Sequence, residues 1–342
     1  MTDRRTIDVS VVGATGLVGR EMLRLIVERD FPVGTLRGFA SERSAGSAVW
    51  FGESQLHIEA LTREALLTGG PGLVLASAGK AVSGQLREWV RGTGLVVVDN
   101  SSAFRMDPEV PLVVPEVNPE AAGGHKGYIA NPNCTVIPLT VVLNAIRGIA
   151  GLEEVFMATY QSVSGAGNKA MEELAAQTLG LLTEQEVETE VFPHRIAFNL
   201  IPQIGDVLDD GYTTEERKTI DETRKILGMP NLLVSCTAVR VPTFACHGEA
   251  VQVVTSKDIS RDDLSRALSE QPGLTVLDAP REMVYPMPIN TVEAMDVFVG
   301  RVRKHPDKPC TYDLWIVSDN LWKGAALNSL QIAERMLADG LL

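Results

Sequence analysis

Cysteine is scarce in this sequence, and long apolar runs are absent. The 342 residues include four cysteines, at positions 134, 236, 246 and 310, with no Cys-x-x-Cys pair and no zinc-ligand arrangement. This pattern favours reduced thiols in the cytoplasm and predicts no metal site. No apolar stretch reaches the ~18 residues of a membrane span, and residues 1–5 lead into a strand pattern without a signal-peptide region. The sequence therefore predicts a soluble protein that is not exported.

Positive charge is also scarce relative to negative charge. Lysine and arginine total 31 against 44 aspartates and glutamates, which gives a net charge of −13. Because nucleic acids are bound by basic faces, this balance argues against a nucleic-acid partner. An anionic small-molecule substrate would have to be held by individual cations. The length and the hydrophobic fraction of 45% are those of a globular protein with room for two domains.

The chain divides into two parts with different patterns. Up to Ala130, short β-branched runs alternate with helical patterns, which predicts βαβ units and a parallel sheet. From Leu152, longer strand patterns predict a mixed sheet, and the final amphipathic run is expected to return to the first part. The expected fold is α/β: a Rossmann-like doubly wound domain at 1–133 with a C-terminal helix at 321–342, and an α+β catalytic and dimerisation domain with a mixed sheet at 134–320. The patterns place a helix at 20–28 and strands at 155–163 and 238–242.

A glycine-rich turn follows the first strand pattern, Ile7–Val12. Residues 13–19 read Gly-Ala-Thr-Gly-Leu-Val-Gly and lead into a helix, whose first N–H groups could hold a pyrophosphate. The spacing is G-x-x-G-x-x-G rather than G-x-G-x-x-G, and a purely structural tight turn is the alternative. The residues expected to bind the cofactor here are Gly13, Ala14, Thr15, Gly16, Leu17 and Val18.

The end of the second strand pattern indicates which nucleotide is bound. NAD-specific folds usually place an acidic residue there to hold both ribose hydroxyls. This chain has Ser41-Glu42-Arg43-Ser44, and two hydroxyls with a guanidinium suit a 2′-phosphate. We therefore expect NADP(H), held by Ser41, Arg43 and Ser44. Because Glu42 is acidic, NAD(H) stays an alternative cofactor. Residues 41–47 could also form only a solvated loop.

Cys134 lies between an extended apolar segment, Gly127–Ala130, and an apolar helical run, Val136–Ile149. A thiol at a helix N-terminus stands where backbone N–H groups and the helix dipole favour the thiolate. The alternative is a small buried cysteine that only packs. Polar residues spread along the following segments favour the nucleophile.

The first such segment, residues 161–167, reads Gln-Ser-Val-Ser-Gly-Ala-Gly. Gln161 at a strand end could donate a hydrogen bond to a carbonyl beside the thiol, and the small residues would let a flat cofactor ring pass over the backbone. The segment from Thr213 to Lys218 has a capping-box pattern and by itself is typical of a solvated helix start.

The second such segment contains Arg240 and His247. Strand alternation leaves Arg240 among apolar neighbours, and His247 precedes a glycine and another strand. This position favours an acid/base histidine over a core histidine. Cys246 is adjacent to His247, but neighbours on a strand point to opposite faces, so we interpret Cys246 as packing.

Together these segments resemble bacterial aspartate-semialdehyde dehydrogenase, and the similarity covers essentially the whole chain. The resemblance implies NADPH-dependent reductive dephosphorylation of L-4-aspartyl phosphate to aspartate semialdehyde through a thioester, at the branch point towards lysine, threonine and methionine. The matching segments are residues 13–19, Ser101-Ser102-Ala103-Phe104-Arg105, Asn131-Pro132-Asn133-Cys134, residues 161–167, Arg240-Val241-Pro242, His247-Gly248-Glu249, Ser318-Asp319-Asn320-Leu321 and Lys323-Gly324-Ala325-Ala326.

The resemblance also implies a role for each matching residue. Cys134 would be the nucleophile, His247 the acid/base group and Gln161 the partner of the reacting carbonyl. The implied substrate contacts are Arg105 and Lys218 for the phosphate, Arg240 for the carboxylate, Glu215 for the amino group, and Asn133. The implied further cofactor contacts are Ala76, Ser77, Ser164, Gly165 and Asn320.

Lys80 departs from the family pattern, in which a second small residue commonly follows Gly79. Its side chain could add a phosphate contact or face solvent. Two other functions fit the sequence less well. N-acetyl-glutamyl-phosphate reductase shares the fold and the thioester chemistry but typically has glycine at the position of Asn133. A catalytically silent paralogue that binds NADP as an interaction or regulatory module would not need Cys134, Gln161, Arg240 and His247 together.

The strands of the second domain carry apolar residues at both alternating sets of positions. A sheet that is apolar on two faces needs cover on both, so the sequence predicts a homodimer through this domain. The resemblance implies a dimer as well, and a tetramer stays open. The strand segments concerned are residues 155–163, 251–254, 297–302 and 314–317.

Overall fold

The computed structural model describes residues 6–70 and 72–342, and the chain forms two compact units. The first comprises the chain up to Asn133 together with Ala325–Leu342, and the second comprises Cys134–Gly324. The sequence predicts that the chain returns to the first domain after Asn320, and the second unit of the structure extends to Gly324. Before it reaches Ala325, the chain makes a turn after Asp319, because Asp319 Oδ1 accepts the N–H groups of Leu321 and Trp322 at 2.8 and 3.1 Å.

The first unit contains one seven-stranded sheet in the order β3-β4-β2-β1-β5-β6-β7. Every neighbouring pair is parallel except β3 and β4. Strands β5 and β6 are buried along their whole length, as in sheets covered by helices on both faces. The elements are β1 (Ile7–Val12), α1 (Leu17–Glu28), β2 (Val33–Ala40), β3 (Ala48–Phe51), β4 (Ser54–Ala60), α2 (Arg63–Leu67), β5 (Gly72–Ala76), α3 (Lys80–Trp89), β6 (Leu95–Asp99), β7 (Tyr128–Ala130) and, after the second unit, α8 (Leu327–Ala338).

The β3–β4 hairpin is absent from the sequence-based expectation. Its two strands are joined through Gly52, whose φ of 57° is a left-handed conformation that favours glycine. Strand β4 carries polar residues at most positions and buries Ile58, so its apolar periodicity is weak. A strand of this kind is stabilised by its pairing partner, which the local pattern does not reveal.

Helix α8 packs against α1 in the first unit. Arg29 makes a two-point ion pair with Glu334, and both nitrogen–oxygen distances are 2.7 Å. Leu327, Leu330 and Met336 are fully buried. The last amphipathic run of the sequence therefore covers the Rossmann-like sheet with its apolar side.

The second unit contains a six-stranded mixed sheet in the order β11-β12-β13-β10-β8-β9. The pairs β8–β9 and β11–β12 are parallel, and the remaining pairs are antiparallel. These two sheets confirm the predicted fold class. The elements are α4 (Val136–Ala150), β8 (Glu154–Gln161), α5 (Asn168–Leu182), α6 (Thr214–Leu227), β9 (Leu233–Arg240), β10 (His247–Val254), α7 (Arg261–Glu270), β11 (Leu274–Val276), β12 (Val297–Lys304) and β13 (Thr311–Ser318).

Several element bounds differ from those expected. Strand β8 ends at Gln161 instead of Val163, because a 3₁₀ turn begins at Val163. Strand β9 begins at Leu233, five residues before the expected Ala238, and alternates buried and exposed side chains from there. Helix α1 begins at Leu17 rather than Arg20.

The two faces of the second sheet differ in polarity. On β8 and β9 buried residues alternate with partly exposed ones, so one face lies against the protein and the other is open. Phe156 and Tyr160 on the open face are 37% and 38% exposed, and Trp315 packs edge-on against Tyr160. Thr237 on that face is exposed, and Gln252 is partly exposed. The open face is therefore mixed: it carries apolar residues of the kind that the sequence predicts there, together with polar ones.

Among the described residues, no helix has the length and apolar character needed to cross a bilayer. The same residues hold no group of three or more His, Cys, Asp or Glu side chains arranged for a metal ion.

Candidate active site

Four strands of the second sheet each contribute one polar residue to a single row at one edge of the sheet. The register pairs Arg240 with Gln161, Gln161 with His247, and His247 with Ser318. Directly paired residues on neighbouring strands point to the same face of a sheet. All four side chains are buried. Three of the residues predicted from three distant segments thus lie side by side.

Arg240 is held at the end of β9 by the chain that follows β8. Its Nη1 donates to the carbonyl oxygen of Ser162 at 2.7 Å. Burial lowers the pKa of Arg240, while negative charge on Cys134 and Glu215 opposes that shift. An arginine remains charged under such a shift, so it presents a fixed cation to a carboxylate.

His247 begins β10 and is fully buried. Its Nδ1 accepts a hydrogen bond from the backbone N–H of Ser162 at 3.1 Å. Its Nε2 is buried and has no hydrogen-bond partner among the described residues. Burial and then the charge of Arg240 lower the pKa of His247 to about 3, against smaller opposing effects of the Cys246 carbonyl and Glu215. The imidazole is therefore neutral near pH 7.

Gly165 leaves space beside these two side chains. A Cβ atom added there would lie 3.1 Å from Arg240 Nη1 and 3.4 Å from His247 Nε2. The predicted small-residue loop therefore keeps its backbone close to both functional groups, which a larger residue would crowd.

Gln161 connects the row to helix α6. Its Nε2 donates to Glu215 Oε1 at 3.3 Å, and its Oε1 accepts from the Thr159 hydroxyl at 2.9 Å. Lys218 forms an ion pair with Glu215 at 3.0 Å. The predicted carbonyl partner, amino-group ligand and phosphate ligand are thus linked through one carboxylate.

Cys134 stands just before the N-cap residue of α4, Thr135, and is half-buried. That cap position has no side-chain hydrogen bond to the first turn. Gly324 passes so close that an added Cβ would lie 2.9 Å from Cys134 Cβ. Cys246, in contrast, is fully buried, and burial raises its pKa to about 12. Of these two thiols, Cys134 has the setting of a nucleophile.

Ser164 and Asn320, both expected to contact the cofactor, bond to each other. Asn320 Nδ2 donates to Ser164 Oγ at 2.9 Å, and the hydroxyl of Ser162 donates to Asn320 Oδ1 at 3.1 Å. Ser162 touches the imidazole, Asn320 and Arg240, yet the sequence does not single it out. Its position directly after Gln161 in a segment of small residues is the available signal.

In the first unit, the turn after β1 has the geometry expected of a dinucleotide site. Gly13 has a φ of 85°, and a Cβ there would lie 2.3 Å from the carbonyl oxygen of Ser77. A Cβ at Gly19 would lie 2.2 Å from the Gly13 carbonyl oxygen. The N-cap of α1, Gly16, has no side-chain cap, so the first turn offers its N–H groups to an anion. The observed glycine positions fit a nucleotide pyrophosphate.

The residues expected near the cofactor's 2′-phosphate lie at the carboxyl end of β2. A 3₁₀ turn, Glu42–Ser44, follows that strand, and both Ser41 and Arg43 are exposed. At the end of the neighbouring β5, Ala76 is buried, and the Ser77 N–H donates to the Val12 carbonyl. Lys80 is exposed at the first position of α3.

Arg105 lies in the loop after β6 and is 7% exposed. Its Nη2 donates to the Asn100 carbonyl at 2.7 Å. Asp99 fixes the start of this loop by accepting from the N–H and the hydroxyl of Ser101, and also from Tyr128 Oη. Asp99 is thus a loop-positioning residue that the sequence does not single out. Asn133, the other residue of this unit that is predicted to contact the substrate, is buried.

Known proteins match both units of the chain. The NAD-binding domain model of semialdehyde dehydrogenase matches residues 8–125, and its dimerisation domain model matches residues 143–323. Aspartate-semialdehyde dehydrogenase of Bacillus subtilis is 46% identical over 340 residues, covering 97% of this chain and 98% of that protein. The Aquifex aeolicus enzyme is 45% identical over 98% of this chain and 99% of its own length. This chain belongs to the aspartate-semialdehyde dehydrogenase family.

Solved structures of aspartate-semialdehyde dehydrogenases agree with that membership. Aspartate semialdehyde dehydrogenase II from Vibrio cholerae matches with a TM-score of 0.93 at 40% identity, covering 98% of this chain and 99% of that one. The resemblance that the sequence motifs indicate is therefore confirmed. Members of the aspartate-semialdehyde dehydrogenase family are oxidoreductases of amino-acid biosynthesis. This membership decides against N-acetyl-glutamyl-phosphate reductase, the alternative enzyme considered from the sequence.

Proposed function

We propose that the chain catalyses the NADPH-dependent reductive dephosphorylation of L-4-aspartyl phosphate to L-aspartate 4-semialdehyde, through a thioester on Cys134. The row formed by Arg240, Gln161 and His247, in the same compact unit as Cys134, is the observation that carries this proposal. The Vibrio cholerae relative has been solved in complex with ASA. The reaction supplies the lysine, diaminopimelate, threonine and methionine routes.

The roles proposed for the substrate contacts follow from charge. Arg240 offers a buried cation to the α-carboxylate, and Glu215 offers a carboxylate to the α-ammonium group. Arg105 and Lys218 are proposed to hold the phosphate, since an acyl phosphate needs cations as its phosphate departs. Lys218 already pairs with Glu215, so a phosphate would share it with that carboxylate.

The first unit is proposed to hold NADP(H), which supplies or accepts the hydride. The uncapped first turn of α1 and the close glycine turn suit its pyrophosphate. Ser41, Arg43 and Ser44 follow the end of β2, and they are proposed to contact the 2′-phosphate. Ser164, Gly165 and Asn320 are proposed to border the nicotinamide.

The decisive measurement is phosphate-dependent NADPH formation from aspartate semialdehyde by the purified protein. Turnover that requires both inorganic phosphate and NADP⁺ supports the proposal. A protein that binds NADP⁺ but shows no turnover would instead be the silent paralogue, because such a module retains the nucleotide site without the chemistry.

We also propose a homodimer through the second unit. The open face of its sheet carries Phe156, Tyr160 and Trp315, large side chains that a partner copy would cover. The matching family model is described as a dimerisation domain. A two-fold axis would pair identical faces, and a tetramer of such dimers stays open.

A further inference from the structure

One buried turn of the second unit connects two parts of the candidate active site. It follows β13 and comprises residues 319–324, and we call it the Asp319 turn. Among its residues only Asn320 has an expected role. Asp319 and Lys323 are 2% and 0% exposed, so the turn belongs to the interior of the protein and is not a surface loop. Its two ends contact different functional residues.

The last residue of the Asp319 turn lies against the proposed nucleophile. A Cβ atom added to Gly324 would lie 2.9 Å from Cys134 Cβ and 3.3 Å from both the Cα atom and the carbonyl oxygen of Cys134. The backbone of Gly324 therefore occupies the space beside the base of the thiol side chain. Gly324 does not have a left-handed φ, so the close contact, and not the backbone conformation, is what disfavours a larger residue there.

The beginning of the Asp319 turn carries the amide that is proposed to border the nicotinamide. Asn320 Nδ2 donates to Ser164 Oγ at 2.9 Å, and the hydroxyl of Ser162 donates to Asn320 Oδ1 at 3.1 Å. All three side chains are buried. The turn thus joins the proposed cofactor-facing amide to the residue that packs on the thiol.

Asp319 fixes the shape of the turn between these two ends. Its Oδ1 accepts the N–H groups of Leu321 and Trp322 at 2.8 and 3.1 Å, and its backbone carbonyl accepts the Gly324 N–H at 2.9 Å. Its Oδ2 accepts the Glu293 N–H at 2.8 Å, which ties the turn to a second loop. From Trp322 the chain continues as a π-turn, a geometry that is frequent at functional sites.

We propose that Asp319 and Gly324 are positioning residues that set the place of the Cys134 sulfur relative to the side chains around the nicotinamide. This inference rests on the proposed function for the reaction and for the role of Asn320. Asp319 acts by holding the turn, and Gly324 acts by packing on Cys134 without a side chain of its own. Their part in the reaction is indirect, because both act through the thiol.

The covalent chemistry makes the position of the sulfur important. The substrate carbon is proposed to be bonded to Cys134 while its C–H bond breaks, so the sulfur decides where that bond lies. A misplacement of a reacting atom by about 1 Å can cost about 10²-fold in rate. A rigid support behind the nucleophile therefore contributes to kcat more than to substrate binding.

Steady-state kinetics of full-length variants test Asp319. Asp319→Ala should lower kcat for aspartate semialdehyde about 10- to 10²-fold with little change in KM, because the substrate still binds but its carbon is misplaced. Asp319→Asn keeps one oxygen that can accept the N–H groups of Leu321 and Trp322, and it should recover part of the loss.

Asp278→Asn is the matched control for a buried aspartate that only holds a loop. Asp278 accepts the N–H groups of Arg301 and Val302 at 2.7 and 3.2 Å, and its side chain is 5% exposed. It has no contact with the Asp319 turn among the described hydrogen bonds. Asp278→Asn should therefore keep the kcat of the wild type.

A single turnover without phosphate separates positioning from loss of folded protein. With aspartate semialdehyde and NADP⁺ alone, each active site can form one thioester and one NADPH. The amplitude then counts the active sites, and the rate reports cleavage of the C–H bond. Asp319→Ala should lower the rate and keep the amplitude, whereas a variant that only loses folded protein would lower the amplitude and keep the rate.

Gly324→Ala tests the contact with the thiol in the absence of cofactor and turnover. The added methyl group has to displace Cys134, so alkylation of Cys134 in nucleotide-free protein, followed by mass spectrometry, should slow several-fold. Gly148→Ala is the control on α4, where nothing lies within 4 Å of an added Cβ, and it should be alkylated at the rate of the wild type.

Two results would overturn the positioning role: a single-turnover rate in Asp319→Ala equal to that of the wild type, or an unchanged alkylation rate in Gly324→Ala. If Gly324→Ala does not fold, the Asp319 variants still decide the proposal. Failure of the wild type to form NADPH from aspartate semialdehyde would instead sink the proposed function, and the alkylation rates would still test the contact between Gly324 and Cys134.

Discussion

Burial affects two ionisable side chains of β10 in opposite directions. It lowers the pKa of His247 to about 3, which keeps the imidazole neutral. It raises the pKa of Glu249 well above its ordinary value, and both carboxylate oxygens are buried without hydrogen-bond partners among the described residues. Burial therefore favours the uncharged form of both groups, and Arg240 supplies the charge beside them.

Glu249 makes stability depend on pH. The folded protein keeps a proton on Glu249 that the unfolded chain releases above an ordinary pKa of 4.5, so the free energy of unfolding falls as pH rises past that value. Glu249→Gln removes this effect and should raise Tm relative to wild type by more at about pH 8 than at pH 4.5. Thermal unfolding at the two pH values measures it, with the exposed Glu186→Gln as control. A constant Tm difference would contradict the buried neutral carboxyl.

Cys134→Ser should abolish turnover while NADP(H) binding stays nearly unchanged. The thiolate forms the covalent intermediate, whereas the nucleotide is proposed to rest on the first unit. Steady-state assays and nucleotide titration measure the two properties separately. Cys246→Ser is the matched control and should stay active. Substantial residual activity in Cys134→Ser, or labelling of Cys246 by a substrate-like alkylating agent, would refute the assignment.

Arg43→Ala should raise KM for NADPH several-fold and leave KM for NADH little changed. The exposed guanidinium at the end of β2 is proposed to contact the 2′-phosphate, which NADH lacks. The comparison of the two coenzymes in one variant is its own control. Equal losses for both would mean that residues 41–44 form a structural turn.

At the scale of single elements, helix α6 is fixed at its N-terminus by two residues. Thr213 accepts from the Glu216 N–H at 3.3 Å, and Glu216 Oε2 accepts from the Thr213 N–H at 2.7 Å. Glu216 Oε1 also accepts from the Ala238 N–H of β9 at 2.9 Å. This capping box therefore both starts the helix and ties it to the sheet, which brings Glu215 to Gln161.

Thr213→Ala should lower the free energy of unfolding by about 1 kcal/mol, because the first turn of α6 loses its cap. Chemical denaturation monitored by circular dichroism measures the change. Ser269→Ala, at an exposed position of α7, is the control and should stay within about 0.5 kcal/mol of wild type. An unchanged free energy of unfolding in Thr213→Ala would mean that the hydrogen bonds of Glu216 are sufficient to stabilise the start of the helix.

At the scale of the whole molecule, the open face of the second sheet leaves large side chains exposed. Phe156 and Tyr160 lie on β8 and Trp315 lies on β13, with β10 between these two strands. Polar residues such as Gln252 share that face. A mixed surface of this kind is typical of protein interfaces, which combine aromatic side chains with polar ones.

Sedimentation at micromolar concentration should give a species of twice the 36.9 kDa chain mass. Phe156→Glu should shift it to the monomer by placing a charge in the paired faces, whereas Trp50→Glu, at a 69% exposed position of the first unit, should leave the dimer intact. An active species of 36.9 kDa in the wild type would exclude the dimer.

The sequence by itself determined the two-part pattern, the glycine turn after β1 and the residue types of the site, because periodicity and short motifs are local properties. The tertiary structure decided which of these residues meet. Gln161, Arg240 and His247 are far apart in the chain, and the register of β8, β9 and β10 makes them neighbours. The β3–β4 hairpin and the mixed open face escaped prediction for the same reason, since pairing and burial are set by contacts distant in sequence.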